Sequence, residues 1–122
     1  MKHQVLLLGL GFWGRNWLQL IQDTDRCELA GVAGAPAEPE QVSAEYGIPK
    51  ERCFSDFREA IRNTKADIAV VVIPGVLHFE ADELALAHGM NVITEKPLAM
   101  SLEQAKKLLT LKAKYPKQKF MA

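Results

Sequence analysis

Val5-Leu6-Leu7-Leu8-Gly9-Leu10-Gly11-Phe12-Trp13-Gly14-Arg15-Asn16-Trp17 is the stretch that decides the fold. Val5–Leu8 is an unbroken apolar run of strand length, as expected of a strand covered on both faces. Glycines then recur with GxGxxG spacing at Gly9, Gly11 and Gly14. Beyond them Trp13, Trp17, Leu20 and Ile21 lie at helical period and predict one apolar helix face. Glycines serve many turns, so the string gains meaning only where it leaves a strand and opens a helix inside a βαβ unit of about 30 residues. All three conditions hold here. Gly9 then permits the tight turn, Gly11 lets a diphosphate approach the backbone, and Gly14 lets helix and strand pack closely. The amides of Phe12 and Trp13 face outward at the positive end of the helix dipole, where an anion is stabilised without a cationic side chain.

Working outward, strand-length apolar runs alternate with helical patterns, which predicts a parallel sheet covered on both faces. Leu29–Ala33 reads as a second strand, followed by a loop at Gly34–Glu40 carrying Pro36 and Pro39. Val42 and Tyr46 mark a short helix ending at Gly47, and Arg52–Phe54 a short strand. Ser55 is placed to cap a helix that buries Phe57, Ala60 and Ile61. Ile68–Ile73 is rich in β-branched residues and is closed by Pro74-Gly75, so it reads as a strand. Leu77, Ala81, Leu84 and Ala85 form the next helical stripe, capped at Gly89, and Asn91–Thr94 is a further strand. Ser101 with Gln104 is a capping-box pattern ahead of Leu102, Ala105, Leu108 and Leu109, and Lys117–Met121 opens a last strand. The fold class that follows is α/β: a doubly wound parallel sheet of Rossmann type, layered α/β/α.

Composition narrows the function classes. The chain of 122 residues is the size of one domain, with 48% hydrophobic and 25% charged residues. Fifteen Lys and Arg cancel fifteen Asp and Glu, so neither nucleic acid nor an anionic membrane is an expected partner. Cys27 and Cys53 lack CxxC spacing and nearby histidines, so no metal site is expected. The opening apolar run is interrupted at Gly11, Gly14, Arg15 and Asn16 without a cleavage site, and Ile68–Leu77 is far short of a membrane span of ~20 residues. A reduced, cytoplasmic location follows.

The cofactor expected at such a turn is a nicotinamide dinucleotide, NAD or NADP. About 20 residues past the glycines, an Asp or Glu at the end of the second strand would accept hydrogen bonds from the adenosine ribose and repel a 2′-phosphate. Ala33, Gly34 and Ala35 stand there instead, with Glu38 a few residues on and Arg15 the nearest cation in sequence. Loss of the acid removes an obstacle to the 2′-phosphate and leans the expectation slightly to NADP.

Two further segments are more specific. Ile73-Pro74-Gly75-Val76-Leu77-His78 and Glu95-Lys96-Pro97 closely resemble the N-terminal domain of the Gfo/Idh/MocA oxidoreductases, and the match spans essentially the whole chain. Members carry Thr-Pro where this chain has Ile73-Pro74. The resemblance implies that Gly9, Gly11, Phe12, Trp13, Gly14, Ala33, Gly34, Ile73, Pro74, His78, Glu95, Lys96 and Pro97 line the cofactor site. It places Lys96 beside the nicotinamide, where an ammonium can hydrogen-bond a substrate hydroxyl and favour its deprotonation, the catalytic role. Pro97 is implied to follow a cis bond. His78 stands either near the nicotinamide or simply in the first turn of its helix; His88 reads as a helix C-terminal residue, and Trp13 and Trp17 as packing residues. The Phe-Trp-Gly-Arg-Asn string is similar to members acting on nucleotide sugars.

The resemblance also implies a second α/β domain, outside these residues, which supplies substrate contacts and a general acid/base and through which members often form homo-oligomers. Residues 1–122 then constitute the NAD(P)-binding domain, with Lys119–Ala122 falling inside its last strand. The implied activity is hydride transfer between nicotinamide and a hydroxyl carbon of a sugar, cyclitol or related polyol. The alternatives are a stand-alone NAD(P)-sensing module without catalysis and, against the glycine spacing, a methyltransferase binding S-adenosylmethionine.

Overall fold

A computed structural model describes Met1–Ala122. Six parallel strands form one sheet in the order β3-β2-β1-β4-β5-β6. The strands are β1 (His3–Leu8), β2 (Cys27–Ala33), β3 (Cys53–Phe54), β4 (Ile68–Val71), β5 (Asn91–Thr94) and β6 (Phe120–Met121). This is the doubly wound Rossmann order, whose direction of winding reverses between β1 and β4 and opens a crevice at their carboxyl ends. The helices are α1 (Phe12–Asp23), α2 (Glu38–Tyr46), α3 (Phe57–Asn63), α4 (His78–Ala87) and α5 (Leu102–Lys114).

Alternation along β1 feeds two cores. Val5 and Leu7 pack with Leu18 and Ile21 of α1 and Val42 of α2. Leu6 and Leu8 pack with Ile61 of α3, Leu86 of α4 and Leu108 of α5. The three leucines Leu6–Leu8 have no exposed surface, which explains why the strand reads as a continuous apolar run.

Helix phases depart from the sequence expectation in two places. In α1 the buried residues are Gly14, Leu18 and Ile21, whereas Trp13 and Leu20 are exposed. A Cβ at Gly14 would overlap the Gly9 carbonyl oxygen, so the glycine is the residue pressed against the strand and it sets the rotation of the helix. Trp17 is only half-buried. In α5 the buried residues are Leu108 and Leu111, while Leu102 and Leu109 face outward. That helix joins the core along a narrow line at the β6 end of the sheet, where the last strand offers two residues.

Caps differ in detail as well. Asp56, not Ser55, caps α3, its Oδ1 accepting from the Arg58 amide at 2.8 Å. Ser101 caps α5 as expected, accepting from the Gln104 amide at 3.1 Å. The Gln104 side chain reaches one residue further back than a capping box requires, to the Met100 amide at 2.8 Å. Gly47 and Gly89 follow α2 and α4 with φ of 70° and 83°, the left-handed conformation that ends a helix at little cost for glycine.

Candidate functional site

A crevice of about 760 Å³ runs along the carboxyl ends of the strands. The glycine turn sits at its centre, and the three glycines have separate tasks. Gly9 has φ +117°, and a Cβ there would lie 2.5 Å from the Val72 carbonyl oxygen, so the turn needs glycine both for conformation and for the close passage of β1 past the end of β4. Gly14 seats α1 on that same turn. A Cβ at Gly11 would meet nothing within 4 Å, so its missing side chain faces open space on the crevice side. Gly11 is also the N-cap of α1 and supplies no capping side chain, and the first turn carries no acidic residue. The leading amides of a twelve-residue helix are therefore left for a ligand. This arrangement fits a diphosphate: open space over Gly11, uncommitted helix amides, and no acidic side chain in the first turn of α1. Phe12 and Trp13 stand on the rim, exposed, with their rings edge to face at 5.3 Å.

One end of the crevice is lined by Ala33, Gly34, Ala35 and Glu38 after β2 and by Ser55, Asp56, Phe57 and Arg58 after β3. Sequence reasoning missed this second group, because no motif marks residues 55–58; only the adjacency of β3 and β2 brings them to the same rim. The Arg58 guanidinium lies 4.4 Å over the Phe57 ring and grips Glu80 with two nitrogens, Nη2 donating to Oε1 at 2.8 Å and Nε to Oε2. Its Nη1 is 3.4 Å from Asp56. The Glu80 hydrogen bond and charge hold the Arg58 pKa above its ordinary value, and Arg58 in turn holds the Glu80 carboxyl below its own. Arg15, the cation nearest the glycines in sequence, is turned away to Glu45 at 2.6 Å, where it ties α1 to α2.

The other end is lined by Val72, Ile73, Pro74 and Leu77 after β4 and by Glu95 and Lys96 after β5. Lys96 is exposed and makes no ion pair or hydrogen bond within the chain, so its ammonium is free to meet a ligand. The backbone beneath it is braced from three sides. The Glu95 amide donates to the Val71 carbonyl at 2.9 Å, and the Trp17 indole Nε1 donates to Glu95 Oε1 at 2.8 Å, so a residue read as packing also anchors the Glu95-Lys96-Pro97 turn. The Lys96-Pro97 bond is cis.

His78 is the third brace, and of the two places open to it the structure shows the first turn of its helix. With Pro97, it belongs to the crevice-lining set inferred from sequence, yet neither residue lines the crevice. His78 stands in the first turn of α4, 1% exposed, with Nδ1 2.9 Å from the Pro97 carbonyl oxygen and Nε2 2.7 Å from that of Ile73. Carbonyls only accept, so a neutral ring serves one of them and a doubly protonated ring serves both. Either way His78 ties the Ile73-Pro74 motif to the Lys96-Pro97 motif from behind. The side chain of Asp82, one helical turn further, is also buried and accepts from Thr94 Oγ1, while its Oδ2 has no partner. Burial pushes the Asp82 carboxyl up from 3.8 to about 6, against opposing pulls from the Thr94 hydrogen bond and the charge of His78. His88 accepts its sequence reading: its Nδ1 lies 2.8 Å from the Leu84 carbonyl at the end of α4.

No three His, Cys, Asp or Glu side chains come together as metal ligands, and no helix is long and apolar enough to cross a membrane. The family model for oxidoreductases with an NAD-binding Rossmann fold matches residues 3–122. The chain belongs to the Gfo/Idh/MocA oxidoreductase family. Among curated members, scyllo-inositol 2-dehydrogenase (NAD(+)) of Bacillus subtilis is 33% identical over 111 residues, covering 87% of this chain and 32% of that protein. A putative UDP-kanosamine synthase oxidoreductase subunit of Amycolatopsis mediterranei is 33% identical over 103 residues, covering 83% and 28%. Among solved structures, scyllo-inositol dehydrogenase of Lactobacillus casei with bound NAD(H) and scyllo-inositol superposes with a TM-score of 0.91 at 24% identity, covering 99% of this chain and 36% of that one. The chain thus spans about a third of the length of the Gfo/Idh/MocA relatives it matches.

Proposed function

We propose that the whole protein transfers a hydride between a nicotinamide dinucleotide and the hydroxyl-bearing carbon of a sugar, cyclitol or related polyol, and that residues 1–122 hold the dinucleotide and present Lys96 to the substrate. The observation that carries this reading is a single crevice with the open glycine turn at its centre and an unpaired, braced lysine at one end. The nicotinamide, when bound, is the group that accepts or returns the hydride. What the chain contributes is placement and charge. The turn amides and Gly11 would hold the diphosphate, and the Lys96 ammonium would donate a hydrogen bond to the substrate hydroxyl oxygen. Such a bond stabilises the negative charge that develops on that oxygen as its proton passes to a base, which in this reading the second domain implied by the resemblance supplies, while the hydride passes to the nicotinamide.

Inositol dehydrogenases among the relatives support a polyol substrate, and a nucleotide-sugar relative supports a sugar. A reducing, cytoplasmic setting is in keeping with the two free cysteines, Cys27 and Cys53. The test is Lys96→Ala in the intact protein, assayed for polyol oxidation and for NAD(H) binding. Turnover is expected to fall about 10²–10⁴-fold with cofactor affinity little changed. Undiminished turnover would remove Lys96 from the chemistry. Tight NAD(H) binding with no oxidation of any polyol by the unaltered protein would instead favour a sensing module.

A further inference from the structure

We propose that Glu38 is the residue that reads the adenosine ribose and selects NAD over NADP, an inference that rests on the dinucleotide reading above. The usual position for that acid, at the end of β2, is Gly34. Its missing side chain is replaced in space. A Cβ built on Gly34 would lie 3.1 Å from both Glu38 Cβ and Glu38 Oε1, so the carboxylate reaches back from the first turn of α2 into the volume that a side chain at position 34 would use.

The carboxylate is fixed there. Oε1 accepts the Ala35 amide at 2.8 Å, and the Glu38 amide donates to the Ala35 carbonyl at 2.9 Å, closing a small ring around the β2–α2 turn. Oε2 has no hydrogen-bond partner within the chain, and Glu38 lines the crevice. A half-buried carboxylate with one oxygen held and the other free is suited to accept hydrogen bonds from a ribose diol.

A 2′-phosphate would face the opposite situation. It carries between one and two negative charges and needs a cation in reach. Arg58 is the one basic side chain lining this end, and it is already committed to Glu80 through two nitrogens and lies near Asp56. Arg15 is committed to Glu45 outside the crevice. The sequence leaning toward NADP rested on a vacancy at residue 34 that the fold fills with an acid.

The experiment measures dissociation constants for NADH and NADPH in the intact protein, unaltered and as Glu38→Gln, which retains an oxygen for the Ala35 amide. The unaltered protein should bind NADH at least about tenfold more tightly, a gap of ~1.4 kcal/mol. Glu38→Gln should close most of that gap, chiefly by tightening NADPH. Added salt should narrow it in the unaltered protein, because screening weakens repulsion between carboxylate and phosphate, and this arm needs no variant. Equal binding of the two cofactors, tighter NADPH, or a ratio that Glu38→Gln leaves unchanged overturns selection by Glu38 while leaving the dinucleotide site standing. Binding of neither cofactor overturns both.

Discussion

Asp82 couples stability to pH directly behind the Lys96 turn. Its side chain is fully buried, one oxygen accepts from Thr94 and the other has no partner, so the ionised form bears a charge without full compensation. Burial raises the folded-state pKa to about 6, against 3.8 for the free side chain. Below both values the group is protonated in folded and unfolded chains alike and its effect on stability is complete. As pH rises between them the unfolded chain releases the proton first, so stability is lost progressively until the folded-state pKa is passed. At about 1.4 kcal/mol per pKa unit, the full loss across both titrations is about 3 kcal/mol, of which about 2.4 kcal/mol falls between pH ~4 and pH ~7. Urea unfolding of the unaltered protein and of Asp82→Asn across that range isolates it, because the other titrating groups cancel in the difference. The unaltered protein should lose about 2.4 kcal/mol relative to the variant as pH rises from ~4 to ~7. A difference that stays flat with pH would refute the reasoning, since the carboxyl would then titrate alike in both states. Thr94 immediately precedes Glu95-Lys96-Pro97, so the same titration bears on how firmly the turn is held.

The glycines of the turn should separate by task. Gly14→Ala forces a Cβ into the Gly9 carbonyl and should cost roughly 3 kcal/mol in urea unfolding, whereas Gly11→Ala meets no atom and should change stability by less than about 0.5 kcal/mol while weakening dinucleotide binding measured by calorimetry. Equal destabilisation by the two substitutions would contradict the geometry. Trp17→Phe removes the indole donor to Glu95 and should cost about 1 kcal/mol of stability, with any loss in the intact protein falling on turnover more than on cofactor affinity. A Trp17→Phe protein indistinguishable from the parent in both unfolding and turnover would show that the bond does not brace the lysine.

Periodicity and glycine spacing determined the fold by themselves, because a parallel sheet buried on both faces needs apolar runs such as Leu6–Leu8, and the Gly9–Gly14 turn admits few alternatives. The family motifs were equally legible, being short and local. Contacts between distant segments were not. The phase of α1 is set by backbone touching backbone at Gly14, so counting bulky residues pointed to Trp13 and Leu20 instead of Leu18. His78 is a brace and not a lining residue because α4 carries it behind the strand ends, where two carbonyls await it. Arg58 enters the crevice only because β3 pairs with β2. Glu38 takes the place of a side chain at Gly34 only because α2 turns back over the end of β2, and a helix direction is a property of packing that residue spacing does not carry.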